Sequence, residues 1–212
     1  MAVPGYLLVL GHSLDMAKMA VYSAALPPIY KKYGGFYLGI GGPGRGVELL
    51  EGGWFDHSMV LARFASKADV AKFWWSPEYT QAKELRKGAG TFQVFAMAGN
   101  EHEAPPGAAA GQPSFMITIS RAFDAAKMKE ITDRENAKLA GRGAVVIAQA
   151  KFTEAERLEG DLMDFDFRIV AFPTQPAATS YWNDPATVAM RAERAKVAGV
   201  NTFLVAGLPR KA

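Results

Sequence analysis

The chain has 212 residues, half of them hydrophobic, with a net charge of +3 and no cysteine. That composition predicts a full hydrophobic core, and the missing thiols exclude disulfides, thiolate nucleophiles and cysteine-ligated zinc or iron–sulfur sites. A mild, evenly spread positive excess is no electrostatic footprint for nucleic acid.

Residues 6–11 have the length of a buried strand, too short for a signal-peptide core and without basic residues ahead of them. Nothing approaches the length of a transmembrane span, so a soluble, cytoplasmic protein without a membrane partner is expected. From Leu14-Asp15 onward, Met16, Met19, Ala20 and Ser23-Ala24 recur at helical spacing. This predicts a helix towards Lys32, with Pro27-Pro28 expected to break or kink its second half. Strands follow over residues 36–40, 47–50 and 58–64. A helix over 67–75 is renewed at Ser76-Pro77, where serine caps and proline opens a new turn, and runs to about Lys87. A strand over 91–97 closes the unit. The order β-α-β-β-α-β is that of a ferredoxin-like plait.

Residues 99–113, rich in Gly, Ala and Pro, have the composition of an exposed linker. The plait then restarts. Phe123-Asp124 answers Leu14-Asp15, Leu158-Glu159-Gly160 answers Leu50-Glu51-Gly52, and Asp184-Pro185 answers Ser76-Pro77. The offset is 109 at the first helix (124 less 15) and 108 from the glutamates onward (159 less 51). The expected domains are a first repeat over 1–98, a linker over 99–113 and a second, diverged repeat over 114–212.

The strand over 58–64 is apolar on both faces, with Val60, Ala62 and Phe64 on one and Met59 and Leu61 on the other. Both faces must then be covered, one by helices and the other by the sister repeat. The expected fold is α+β: two ferredoxin-like repeats packed sheet to sheet as an intramolecular α/β barrel.

Several motifs carry a resemblance: Tyr-Gly-Gly-x-x-Leu at 33–38, Gly41-Gly42, Leu-Glu-Gly-x-Trp at 50–54, Arg63-Phe64 followed by Ser66, and Trp-x-Ser-Pro-Glu-Tyr at 74–79. Together they resemble the bacterial family called domain of unknown function 1330, of the dimeric α/β-barrel superfamily. The resemblance implies fold and self-pairing and, by the family's own name, no reaction. The superfamily includes cofactor-free oxygenases, isomerases, lyases and heme proteins, so chemistry does not transfer from the fold. In the second repeat Ala186 and Thr187 stand where the first has Glu78 and Tyr79, and Leu162 answers Trp54. A pocket is therefore expected in the first repeat. Heme is disfavoured because the second repeat has neither histidine nor cysteine to offer as axial ligand.

Gly39-Ile-Gly-Gly-Pro-Gly44 fits the dinucleotide pattern by letter, but a strand-like run follows it instead of a helix. It reads as a glycine-rich β-turn. His12, His57 and His102 share no metal-ligand spacing. His102 falls in the linker, whereas His12 and His57 sit at strand ends, where an imidazole can reach a pocket mouth as proton carrier or act structurally. Glu51 is either a solvent-facing residue beside a positive-φ Gly52 or a general base near Trp54 and Arg63. Asp164, Asp166 and Arg168 alternate on one strand face, forming either an ion-pair network or a cavity lining. Tyr79 lies in a helix start and can direct its hydroxyl between helix and sheet; Phe73, Trp74 and Trp75 read as core or as a binding wall. The strand over 57–64 lacks the exposed aromatics of an RNA-recognition fold.

The leading expectation is a cofactor-independent, metal-free enzyme of isomerase, lyase or oxygenase type, using acid–base chemistry on a small apolar or aromatic carbonyl compound. Glu51, His57, Arg63 and Tyr79 are the catalytic candidates, and His12, Trp54, Trp74, Asp166 and Arg168 the substrate-binding ones. The alternative is a noncatalytic metabolite-binding or scaffold protein, with self-association beyond the internal pair left open.

Overall fold

The computed structural model of the protein describes residues 3–100 and 112–209. Most of the linker expected over 99–113, with His102, lies outside the described residues. The first half runs β1 (Gly5–His12), α1 (Met16–Lys32), β2 (Phe36–Pro43), β3 (Gly46–Glu51), β4 (His57–Phe64), α2 (Lys67–Trp74), α3 (Pro77–Glu84), β5 (Thr91–Ala98). The second repeats that order: β6 (Ser114–Ala122), α4 (Ala125–Ala140), β7 (Val145–Ala150), β8 (Glu156–Glu159), β9 (Asp166–Phe172), α5 (Gln175–Asn183), α6 (Pro185–Arg194), β10 (Ala198–Ala206).

The helices start where short polar side chains satisfy orphan N–H groups. Asp15 accepts from Ala17 and Lys18, and Asp124 from Lys127. Ser76 and Asp184, each followed by proline at the first helical position, cap α3 and α6. The prolines expected to interrupt α1 do not, and the helix is continuous through Pro27 and Pro28. Both prolines and the residues four positions before them, Ser23 and Ala24, are exposed, so the released carbonyls face water. Buried Tyr22, Leu26 and Tyr30 hold the helix against the sheet across the interruption.

The strands form one curled ten-stranded sheet in the order β7-β9-β6-β10-β3-β2-β4-β1-β5-β8. β3 and β8 are exchanged between the halves. β3 pairs antiparallel with β10, Val47 opposite Val205, and β8 pairs antiparallel with β5, Glu159 opposite Val94. The short strand expected inside the first plait therefore completes the other half's sheet. Two further ties join the halves: Asn100 N–H donates to the Ile147 carbonyl at 3.1 Å, and Leu208 N–H to the Leu38 carbonyl at 2.8 Å.

The concave faces meet in one apolar core containing Leu8, Leu10, Met59, Leu61 and Phe95 of the first half and Ile117, Ile119, Phe167, Ile169 and Phe203 of the second. The convex faces are covered separately. Leu7, Ala62, Phe64 and Val94 pack under α1, α2 and α3, while Met116, Val170, Phe172 and Leu204 form the core on the helix side of the second half. This double covering is why both faces of β4 are apolar. Gly39 to Gly44 is strand running into a turn, with Arg45 N–H donating to the Gly42 carbonyl at 2.9 Å, and no helix follows.

Candidate functional site

Beneath the first half of α1, on the convex side of the sheet, lies a pocket of about 650 Å³. Its walls are Val9, Leu14, Met19, Ile40, Val60 and Phe92, and Arg45, Asp56 and Ser58 bring polar groups to it. Gly11, Gly41 and Gly42 also line it and contribute no side chain to fill the space. The volume falls in the range of sites for small ligands, with an apolar wall and a few polar groups.

None of the nine residues singled out from the sequence lines this pocket. Glu51 and Glu159 instead clamp the exchanged strands. Arg194 donates to Glu51 at 2.5 Å, and Arg86 donates through both terminal nitrogens to Glu159 at 2.9 and 2.5 Å. Each glutamate precedes a glycine at positive φ, 101° for Gly52 and 92° for Gly160. A Cβ there would collide with the side-chain amide of Asn201 or Gln93. Those amides accept the Gly53 and Leu162 N–H groups at 3.0 and 2.8 Å, which fixes the turn after each exchanged strand.

Tyr79 is buried between helix and sheet, its hydroxyl 2.6 Å from that of Tyr22. Burial first, then the neighbouring Tyr22, pushes the Tyr79 phenol well above its ordinary value. Trp74 is buried beside it at 4.9 Å between ring centres. Arg86 packs its guanidinium 3.9 Å from the Phe92 ring, so the Tyr22–Tyr79 compartment and the pocket share Phe92 as a wall. Arg63 lies on the concave face at the far end of β4 from His57.

His12 and His57 are direct cross-strand partners, their ring centres 5.0 Å apart. Trp54 stacks on His57 at 5.2 Å. Burial and then the facing His12 hold the His57 imidazole below its ordinary pKa, against weaker opposing contributions from the Trp54 backbone and Asp56.

In the second half, Arg168 donates to Glu135 at 3.2 Å and to Asn136 at 2.5 Å, and Arg194 joins the same Glu135 at 2.8 Å. The result is a chain of charges, Arg168–Glu135–Arg194–Glu51. Burial lowers the Arg168 pKa, and Glu135 opposes it. Asp166 pairs with Lys151 at 2.6 Å. Asp164 is not on that strand face: it precedes β9 at φ 62° and meets Arg121 at 3.5 Å. Arg168 stands where the first half has pocket-lining Val60, and Asp166 where it has Ser58, at the offset of 108.

Residues 4–100 match the family model of the domain of unknown function DUF1330. The first half matches DUF1330. No curated protein matches the chain. Solved structures share its fold: a candidate monooxygenase from Lactobacillus acidophilus NCFM, at 10% identity and TM-score 0.52 over 99% of this chain and 100% of that one; one from Fusobacterium nucleatum, at 10% and 0.53 over 100% and 99%; and an anthrone oxidase-like protein, at 14% and 0.51 over 95% and 91%. These likenesses establish the α/β-barrel fold over the length of the chain.

Within the DUF1330 half, the family-like motifs meet each other. The Tyr33 hydroxyl donates to Glu78 at 3.0 Å and Lys32 pairs with the same carboxylate, tying the end of α1 to the start of α3. The second half makes the equivalent tie with Arg142 and Lys138 on Asp184, at 2.6 and 2.7 Å. Sequence reasoning missed Arg45, Asp56, Ser58 and Glu135. Arg86 and Arg194 stand at matched positions, at the offset of 108 (194 less 86), and their recurrence alongside the matched glutamates is the sign in the sequence of the crosswise clamp.

Proposed function

We propose that the DUF1330 half binds a small apolar or aromatic carbonyl compound in the pocket beneath α1 and moves a proton on it without an organic cofactor. The observation that carries this is the grouping of Arg45, Asp56 and Ser58 at one apolar pocket. A carboxylate there accepts a proton from the carbon beside a carbonyl, and a guanidinium and a hydroxyl favour the enolate that develops. Isomerase, lyase and oxygenase reactions of such compounds share that step. The fold neighbours described as monooxygenase and anthrone oxidase-like support an oxygenase type and an aromatic substrate. The reading places proton transfer on Asp56, because Glu51 is engaged by Arg194, Tyr79 is sealed beside Tyr22, and His57 and Arg63 face the barrel interior.

A noncatalytic binder is the second reading, favoured by the apolar filling of the barrel interior and by the ion pairs that occupy the charged residues. One experiment separates them. Thermal-shift screening of small aromatic acids, phenols, lactones and enones should yield a ligand that raises the melting temperature, with the gain abolished by Val60→Trp. The same ligand should exchange its α-proton in D2O with wild type and not with Asp56→Asn, which still binds. Stabilisation that survives Val60→Trp removes the pocket from the reading, and binding without exchange favours the binder.

A further inference from the structure

Forty-five positions separate His12 from His57 (57 less 12), yet the β1/β4 register sets them opposite each other at the ends of their strands. Their strand partners on the same side, Leu10 and Met59, belong to the barrel core, so both imidazoles stand at the mouth of the barrel interior. The pocket beneath α1 is on the other face of the same strands.

We propose that His12 and His57 form a two-imidazole site for a divalent late transition metal, with Cu2+ bound most tightly and Zn2+ also accepted. A metal–nitrogen bond of about 2.1 Å, plus roughly 1.1 Å from nitrogen to ring centre, puts each ring centre about 3.2 Å from a shared ion. Two such rings at roughly 100–110° around the ion are then about 5 Å apart. The two ring centres are 5.0 Å apart.

The surroundings leave the same nitrogen available on each ring. The Ser13 hydroxyl lies 3.0 Å from His12 Nδ1, and Ser13 adopts φ 53°, an uncommon left-handed conformation for a residue other than glycine. The Nδ1 of His57 is buried without a well-formed hydrogen bond. An ion approaching from the barrel mouth then meets Nε2 of each ring, because the Nδ1 of His57 is closed to solvent and that of His12 is engaged by Ser13, which orients the ring through its other nitrogen as in many metal-bound imidazoles. Trp54 stacks on His57, and Phe165 packs on Trp54 at 5.6 Å, bracing the ring from behind.

Among the described residues no group of three or more histidine, cysteine or carboxylate side chains is placed to share one ion. The remaining coordination positions fall to water or to a small ligand from the adjoining groove of about 610 Å³, lined by Val47, Leu49, Phe55, His57 and Phe203. Imidazole ligands suit copper and zinc, and the general affinity order places Cu2+ above Zn2+. The matched positions in the second half are Arg121 and Phe165, so the site occurs once per chain.

The chain contains three histidines, which makes the test compact. Cu2+ and Zn2+ are titrated calorimetrically into the tag-free 212-residue chain, alongside His12→Asn, His57→Gln and, as control, His102→Asn. One Cu2+ per chain is expected in wild type and in His102→Asn, with affinity at least tenfold weaker in each of the other two. Electron paramagnetic resonance of the Cu2+ form should show two equatorial nitrogens in wild type and at most one after His12→Asn. His12 is exposed, so this variant retains the fold and stands alone should His57→Gln fail to fold. Wild-type affinity retained in His12→Asn, or no stoichiometric Cu2+ uptake by wild type, overturns the site.

Discussion

At Tyr79 one hydroxyl connects α3 to α1 through a buried 2.6 Å bond to Tyr22. Tyr79→Phe leaves the Tyr22 hydroxyl without that partner, and losing one side of a buried pair costs about 1–2 kcal/mol. For a chain of this size the melting temperature should fall by about 2–8 °C, measured by calorimetry; an unchanged melt would refute the structural importance of the bond. Glu78 poses a pH question. Lys32 first, then its own backbone N–H and Tyr33, hold its carboxyl at about 2, below the ordinary 4.5. A depressed carboxylate stabilises the fold above its ordinary value and loses that contribution as pH falls through about 2. Wild type should therefore melt above Glu78→Gln at neutral pH, and the two curves should converge on acidification. The gap should shrink with salt because the pair is exposed. Residue types were legible here, but their partners were not. The Ser76-Pro77-Glu78-Tyr79 motif marks a helix start from local rules alone, whereas Tyr33 and Tyr22, which decide what Glu78 and Tyr79 do, are supplied by another helix and its C-terminal cap.

The exchanged strands β3 and β8 are short, and each is held at its end by a buried arginine of the other half. The two clamps are not equal. Arg194 also pairs with Glu135, whereas Arg86 forms its ion pair among the described residues with Glu159. Removing the charge of Glu159 leaves the buried Arg86 guanidinium without a carboxylate, whereas removing that of Glu51 leaves Arg194 sharing Glu135 with Arg168, so its charge stays partly compensated. Glu159→Gln should therefore cost about 2–4 kcal/mol and Glu51→Gln about 1–2 kcal/mol in chemical denaturation. The reverse order would mean that Arg194 draws little from Glu135. Periodicity, caps and glycine punctuation placed most strands and helices from sequence because those rules act within a few residues. The crosswise pairing of β3 and β8 escaped them because any apolar strand satisfies its own pattern whichever edge it joins. The continuity of α1 through Pro27-Pro28 escaped them because it depends on which side faces water.

For the whole molecule, covering both faces of β4 demanded a partner sheet, so the barrel could be inferred from the alternation of Met59 to Phe64 and the recurring motifs. The position of the pocket could not, since it depends on Gly11, Gly41 and Gly42 converging beneath α1. The exchange makes the halves interdependent. Alone, residues 1–100 would expose the concave face bearing Leu8, Leu10, Leu61 and Phe95, and would leave the outer edge of β5 unpaired where β8 now lies. An apolar sheet face beside an open strand edge drives self-pairing or aggregation. Residues 1–100 expressed alone should therefore pair with a second copy through the same surface or precipitate. Co-expression with residues 112–212 should restore a one-to-one complex with the wild-type circular dichroism spectrum. Sedimentation velocity checks both outcomes. A soluble, folded monomer of the first half would mean that the exchanged strands are accessory, and that the concave face is stable without the sheet now packed against it.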